Sequence, residues 1–588
     1  MSSVKYVFAA FVLLMIISTS LLPQAYGAGR IYEYAYCKIP LLALEEESGR
    51  GFVVYVNLWV IPSSSSELRV EVGKNVAEDT KRSIELAVLY ASMLAGVSPS
   101  AYRYIVDTDV EVEGLSATLG FFVAALLAIA TGSCNPRITA TGVIGPGGVV
   151  GSVGGLLAKV EASRSIELQR LYIPVQQVSI VKDNLSYVKG VHSILDVYED
   201  VLGLNLSKYE LNASIVNKYN EYFRDAYIEL KSNATRILNE LRARWLDKHL
   251  KDAEEAAKLA EEYARLGKYY VAASLAYRAL VSSQVSYLNY TLTKSWESGL
   301  AEIKKILLNA DEYVEHALKS LASVPIYTNA SVEGLVLPDL LVLDALVNTA
   351  VRALEARYYI WLASLAEDVE ERIILAANAY SRALSALTWL ELSRSIARER
   401  GTVISSPLRE RVKSLLDIYR SVHIGYLSVL GINLTLLAQL LSASNSDVAA
   451  LAEVAFAANL VYRYTGLSRV FTSNLTARDV YEWEATLLKY VSMLEEVAGA
   501  IPVYPIVLLD LVQAYLEEGI SAEEVLQLIY SGAPLLAGYL YLYKGLSYSA
   551  GSALETHGYE LLKQAAILIA PALIVIGLVL VVKGLKDK

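Results

Sequence analysis

Apolar and polar positions divide this chain into a short mixed part and a long helical part. In 52–61 (Phe-Val-Val-Tyr-Val-Asn-Leu-Trp-Val-Ile), β-branched and aromatic residues dominate, as in a strand. In 75–94, Ile84, Leu86, Ala87 and Tyr90 recur on one side, which predicts a helix. A strand is expected over 104–110 and a strongly apolar helix over 116–131. A further strand over 138–144 ends in Gly-Pro-Gly-Gly, and a helix over 155–165 and a strand over 171–175 complete the unit. From 206 to 555 helical periodicity takes over. Within 254–280 a helix-turn-helix is expected about Gly267, with a tetratricopeptide-like scatter of small residues and tyrosines. No steady 34-residue period runs through the region, so an irregular helical bundle or solenoid is expected rather than a regular array.

Both termini carry long apolar runs. Lys5, the run 7–22 and the small residues Ala25 and Gly27 read as a secretory signal peptide over 1–27, cut after Gly27 or Ala28. The stretch 565–582 holds no charge and is followed by Lys583, Lys586 and Lys588. It is long enough to span a bilayer, and the lysines favour the cytoplasmic side. The expected topology is therefore type I: a membrane helix over 561–583, a cytoplasmic tail over 584–588 and the bulk of the chain outside.

Composition agrees with a membrane-linked protein. Hydrophobic residues make up 54% of the 588 residues and charged residues only 19%. The net charge of −10 leaves no basic surplus for phosphates, which argues against a nucleic-acid partner. Tyrosine is abundant (41) and phenylalanine scarce (8), as expected where an amphipathic aromatic packs helices together. Eight Asn-x-Ser/Thr sequons, at Asn184, Asn205, Asn212, Asn233, Asn289, Asn329, Asn433 and Asn474, are candidate glycan acceptors in a secretory setting. Cys37 and Cys134 are the only cysteines. They are either a disulfide pair, permitted outside the cell, or two unrelated buried thiols.

The candidate chemistry lies in three short segments. Ser116 stands in Glu111-Val-Glu-Gly-Leu-Ser-Ala117, where a turn becomes a helix. There a serine is ordinarily a helix cap, but the helix dipole would also favour a developing oxyanion. Lys159 stands in Gly154-Gly-Leu-Leu-Ala-Lys-Val160, an apolar helix start; burial there would lower its pKa and make it a base. Between them lies Thr139-Ala-Thr-Gly-Val-Ile-Gly-Pro-Gly-Gly148.

Together these segments resemble the proteolytic domain of Lon proteases, and Val112-Glu-Gly114 is closer to the archaeal membrane-linked branch. The matching elements are Gly114-Leu-Ser116-Ala117 opening an apolar helix, Thr141-Gly142, Gly147-Gly148, and Gly154-Gly155 before the lysine. The resemblance covers about 31–180 and implies an α+β Lon-type proteolytic domain over 28–200, followed by the all-α region over 206–555. It implies that Ser116 is the nucleophile and Lys159 the general base, with Thr141 near the lysine and helping to hold it. Gly114, Ala117 and Glu113 would be supporting residues. Leu115 departs from the pattern, since the archaeal branch usually has Asp there. Asp107, Asp109, Glu111 and Glu113 lie just upstream; an acid reaching Lys159 would suppress it as a base, though solvated acids are the plainer reading.

Other chemistries fit poorly. No Gly-x-x-x-x-Gly-Lys-Ser/Thr occurs, so no P-loop accompanies the domain and ATP is not expected to drive it. The five histidines are scattered, with no His-Glu-x-x-His, and none falls in 31–180. Neither a zinc protease nor a Ser-His-Asp triad in that stretch is expected, and no metal or cofactor is implied. The expected function is a membrane-anchored, outward-facing, ATP-independent serine endopeptidase acting on peptides or unfolded proteins. The helical region would position substrate, build a homo-oligomer or space the enzyme from the membrane. The alternative is a surface scaffold or binding protein that keeps the fold without turnover.

Overall fold

The computed structural model describes residues 34–548, apart from 46, 182–184, 207–208, 211, 333–334, 399–402, 433–447 and 465–466. The expected signal peptide, the membrane run 561–583, the tail and the sequons at Asn184 and Asn433 lie outside the described residues. The described chain is mixed α+β and mostly helical.

The first part is built on a four-stranded sheet. Strands β1 (Ala35–Leu44) and β2 (Gly51–Pro62) form an antiparallel hairpin, with Cys37 opposite Leu58. β2 pairs antiparallel with β4 (Tyr102–Asp107), which pairs parallel with β3 (Arg69–Val72), giving the order β1-β2-β4-β3. Along β2 the side chains of Val54, Val56, Leu58 and Val60 are buried while Tyr55 is exposed and Asn57, Trp59 and Ile61 are half-buried. That alternation is the period-two signature of a sheet with one covered face. The covering helices are α1 (Glu78–Ala95) and α2 (Thr118–Thr131). In α2 all residues from Thr118 to Ile129 are buried, as its unbroken apolar run requires.

A second, parallel sheet follows, with the order β5-β8-β9. It joins β5 (Ile138–Ala140) to β8 (Arg170–Pro174) and β8 to β9 (Val188–Val191). The expected strand over 138–144 breaks after Ala140. Its last two residues form β6 (Val143–Ile144), which pairs with β7 (Val150–Gly151) around the Gly-rich turn. Helix α3 (Leu156–Ser163) then packs against β1 and β2. Cys37 and Cys134 form a disulfide across 97 residues, with Cα atoms 5.3 Å apart. It ties β1 to the loop after α2.

The long region is helical, except for a small hairpin of β10 (Thr328–Val332) and β11 (Leu335–Pro338) that the sequence reading did not anticipate. The expected helix-turn-helix is present: one helix spans Lys248–Arg265, Gly267 is left-handed, and the next helix spans Tyr269–Lys294. Helix Ala522–Tyr548 is long and apolar enough to cross a membrane, but 89% of its most apolar window is buried within the protein. It is packed as a core helix.

The two parts share one hydrophobic core. The abundant tyrosines make much of it, and several bury a ring while handing the hydroxyl to a carbonyl or carboxylate. Tyr419 donates to Pro534 O (3.0 Å), Tyr539 to Asp344 Oδ1 (2.9 Å) and Tyr543 to Pro338 O (2.7 Å). A phenylalanine would leave those buried acceptors unpaired.

Three further tyrosines grip the Gly-rich turn. Tyr462 donates to Pro146 O at 2.5 Å and Tyr490 to Gly147 O at 3.2 Å. Tyr90 accepts the Gly147 N–H at 2.7 Å and lies 2.9 Å from His423 Nε2. The other His423 nitrogen is 2.8 Å from Tyr419 O, and burial holds the ring neutral, with a pKa of about 4. Nδ1–H therefore donates to Tyr419 O and Nε2 accepts from Tyr90. The Gly-Pro-Gly-Gly turn that ends the expected strand is thus the joint between the two parts.

Candidate active site

Ser116 sits in a single 3₁₀ turn, Leu115–Ala117, that opens α2. Gly114 precedes it with φ 101° and ψ 160°, a conformation open to glycine and strained for any residue with a Cβ. That backbone is held from two sides. On one, Asp79 Oδ2 accepts the Gly114 N–H at 2.9 Å, and Thr80 Oγ1 donates to Val112 O at 3.3 Å. On the other, Ser116 O accepts the Gly142 N–H at 2.9 Å and the Thr141 hydroxyl at 3.4 Å, while Leu119 N–H donates to Gly142 O at 3.1 Å. The Ser116 turn is therefore stitched to the start of α1 and to the segment after β5.

Lys159 lies on the first full turn of α3, whose N-cap Gly155 is left-handed. The start of β2 crosses this helix closely: a Cβ on Gly51 would fall 2.0 Å from Ala158 O and 3.0 Å from Lys159 N. That contact fixes the height of the lysine on the sheet. The side chain is only 4% exposed, and its Nζ donates to Ser116 Oγ at 2.8 Å. Burial disfavours the ammonium and brings its pKa down to about 8. Roughly a tenth of the lysine is then neutral at pH 7, against well under a thousandth for an ordinary lysine.

The structure thus brings Ser116 and Lys159 together from positions 43 residues apart. Gly114 and Ala117 bracket the serine turn. Glu113 is exposed, as are Asp107, Asp109 and Glu111, so these acids are solvated at the surface. Thr141 is buried, but its hydroxyl bonds to the serine backbone rather than to the lysine, so it steadies the Ser116 turn. Leu115 is half-buried against the core. Asp79 and Thr80 were missed in the sequence reading. An acid in the first turn of a helix was visible, but its partner 35 positions on was not.

Chemically, the arrangement offers a half-buried hydroxyl beside an amine of lowered basicity. The first turn of a helix also leaves N–H groups with no acceptor inside the helix; here those of Leu115 and Ser116 stand at the serine. Among the described residues, no group of three or more His, Cys, Asp or Glu side chains is placed to hold a metal ion. Of the candidate glycan acceptors, Asn205, Asn212 and Asn474 are exposed and lie outside helices. Asn233 and Asn289 are half-buried on helices, and Asn329 lies in β10. No protein-family model matches the chain, and no curated protein matches it.

Proposed function

We propose that this chain is an ATP-independent serine endopeptidase working through a Ser116–Lys159 dyad. The observation that supports it most is the 2.8 Å contact between Ser116 Oγ and a buried lysine with a pKa of about 8. Neutral Lys159 takes the proton of Ser116 Oγ as that oxygen attacks the scissile carbonyl carbon. The tetrahedral oxyanion is held by backbone N–H groups at the start of α2. The Lys159 ammonium then gives its proton to the leaving amine, and the C–N bond breaks to an acyl-serine. Lys159 next deprotonates a water, which attacks the ester carbonyl, and its ammonium returns that proton to Ser116 Oγ as the acyl C–O bond breaks, releasing the acid and restoring both residues. Without an ATP-driven unfoldase, the substrates are peptides, flexible loops or unfolded chains.

The same reading places the enzyme outside the cytoplasm, anchored by 561–583. The leader-like N-terminus, the lysines after the apolar run and the Cys37–Cys134 disulfide all support it. The test is casein cleavage by the purified chain beside Ser116→Ala and Lys159→Ala. Each variant should lose about a thousandfold or more in kcat, and the double variant should lose no more than either single one. A Ser116→Ala enzyme that still cleaves at the parent rate would end this reading.

A further inference from the structure

A cluster of charged side chains with buried Arg352 and Glu355 at its centre lies away from the dyad, in the helical region. A cavity of about 550 Å³ opens between the helices Arg224–Leu241, Tyr269–Lys294, Leu340–Leu365 and Val369–Arg398. Four guanidiniums line it: Arg278, Arg352, Arg382 and Arg463. Tyr270, Tyr277, Phe223 and Trp389 also line it. Its volume suits one small organic molecule.

The charges do not balance at its floor. Glu355 is 1% exposed and accepts from Arg352 Nη1 at 2.9 Å and from Asn459 Nδ2 at 3.1 Å. Arg382 Nε comes within 3.2 Å of the same carboxylate, but without hydrogen-bond alignment. Two buried guanidiniums therefore share one carboxylate. Burial pushes the Glu355 carboxyl up, and Arg382, Arg352 and Arg463 outweigh it and hold it down at about 2. It is already fully ionised and has no further charge to give. Arg278 pairs at 3.7 Å with Glu518 at the margin, and Glu524 is exposed there.

Arg382 is the telling group. Its guanidinium lies over the Tyr277 ring, 4.7 Å from the centroid, its side chain is only 16% exposed, and its buried Nε makes no aligned hydrogen bond among the described residues. A largely buried cation with an unused donor is costly unless an acceptor reaches it. A planar guanidinium presents paired donors that match the oxygens of a carboxylate or phosphate. We infer that this cavity is a binding site for a small organic anion, whose carboxylate or phosphate group docks on Arg382 and Arg352 and whose flat apolar body lies against Trp389 and Phe223.

The full-length chain in detergent, titrated by calorimetry with phenyl phosphate, benzoate and neutral benzyl alcohol, tests this. At least one anion should bind about tenfold or more tighter than benzyl alcohol, and Arg382→Gln should remove that advantage. Binding of phenyl phosphate alone assigns a phosphate ligand; binding of benzoate as well assigns a carboxylate. Should Arg382→Gln fail to fold, Ser385→Trp, which fills the cavity from its wall, should abolish anion binding. Ser116→Ala should bind as the parent does, which separates this site from the dyad. Equal affinity for anions and benzyl alcohol, no binding of either anion, or anion binding that survives Ser385→Trp would overturn the inference.

Discussion

Asp79 Oδ2 accepts the backbone N–H of Gly114, two residues before Ser116. The same carboxylate caps its own helix start by accepting the Thr80 N–H at 2.6 Å. One side chain thus joins α1 to the turn that aims the nucleophile. It touches no reacting atom, so it acts as a positioning residue. Asp79→Ala should lower kcat about tenfold to a hundredfold, because small misplacements of reacting groups are expensive, and leave KM within about twofold. Asp79→Asn keeps an acceptor oxygen and should recover most of the rate. Steady-state kinetics on a fluorogenic peptide read both. A KM rise with unchanged kcat would mean that the contact serves binding instead.

The lowered pKa of Lys159 fixes the direction of the pH dependence. The base is the neutral amine, so kcat/KM should rise with pH, tenfold per unit well below 8, and level off above about 8. Stability follows the same sign. The folded pKa lies below the unfolded value of 10.5, so between about 8 and 10.5 the unfolded chain binds more protons and stability rises with pH. Below about 8 both states are protonated and the full cost of the buried ammonium is present. Lys159→Met should be more stable than the parent at pH 7, and the gap should narrow above pH 8. Urea melts of the two proteins at pH 7 and pH 9.5 measure that gap.

Local physics made much of the first part legible in sequence. The apolar run after Ser116 could only be a buried helix, and Phe52 to Ile61 could only be a strand. The interval between Ser116 and Lys159 became a 2.8 Å contact because α2 and α3 both pack on the β1–β2 hairpin. What stayed hidden depends on partners far away in the chain. β1 carries Pro40 and a continuous apolar stretch, so no alternation marked it as a strand. Thr141 could be placed near the dyad, but only the fold shows that its hydroxyl meets the serine carbonyl. The glycines at 145, 147 and 148 marked only the end of a strand in the sequence. They are small because Tyr462, Ala533 and Ile194 press against them.

The Cys37–Cys134 disulfide closes a loop of 97 residues that carries Ser116 but not Lys159. In the chain-entropy model such a link stabilises by about 4 to 5 kcal/mol. The Cys37→Ser, Cys134→Ser double variant should lose roughly that much in a urea melt, and dithiothreitol should produce the same loss in the parent. Dithiothreitol should leave the double variant unchanged. If reduction does not move the parent's midpoint, the link contributes little to the stability of this domain.

Tyr462 binds the two parts of the protein at one buried hydrogen bond, from its hydroxyl to Pro146 O. Tyr462→Phe keeps the ring against Phe471 and Tyr530 but leaves that carbonyl without its partner. The cost should be about 1 to 3 kcal/mol. Because the core is continuous through this joint, the loss should not be confined to the helical region. Heating should unfold parent and variant in one transition, at a lower midpoint in the variant. Protease activity should disappear at the same temperature as the helical signal in each protein. Two separated transitions, with activity following only the first, would show instead that the dyad-bearing part folds as an independent unit and that the tyrosine clamp is a surface contact between neighbours.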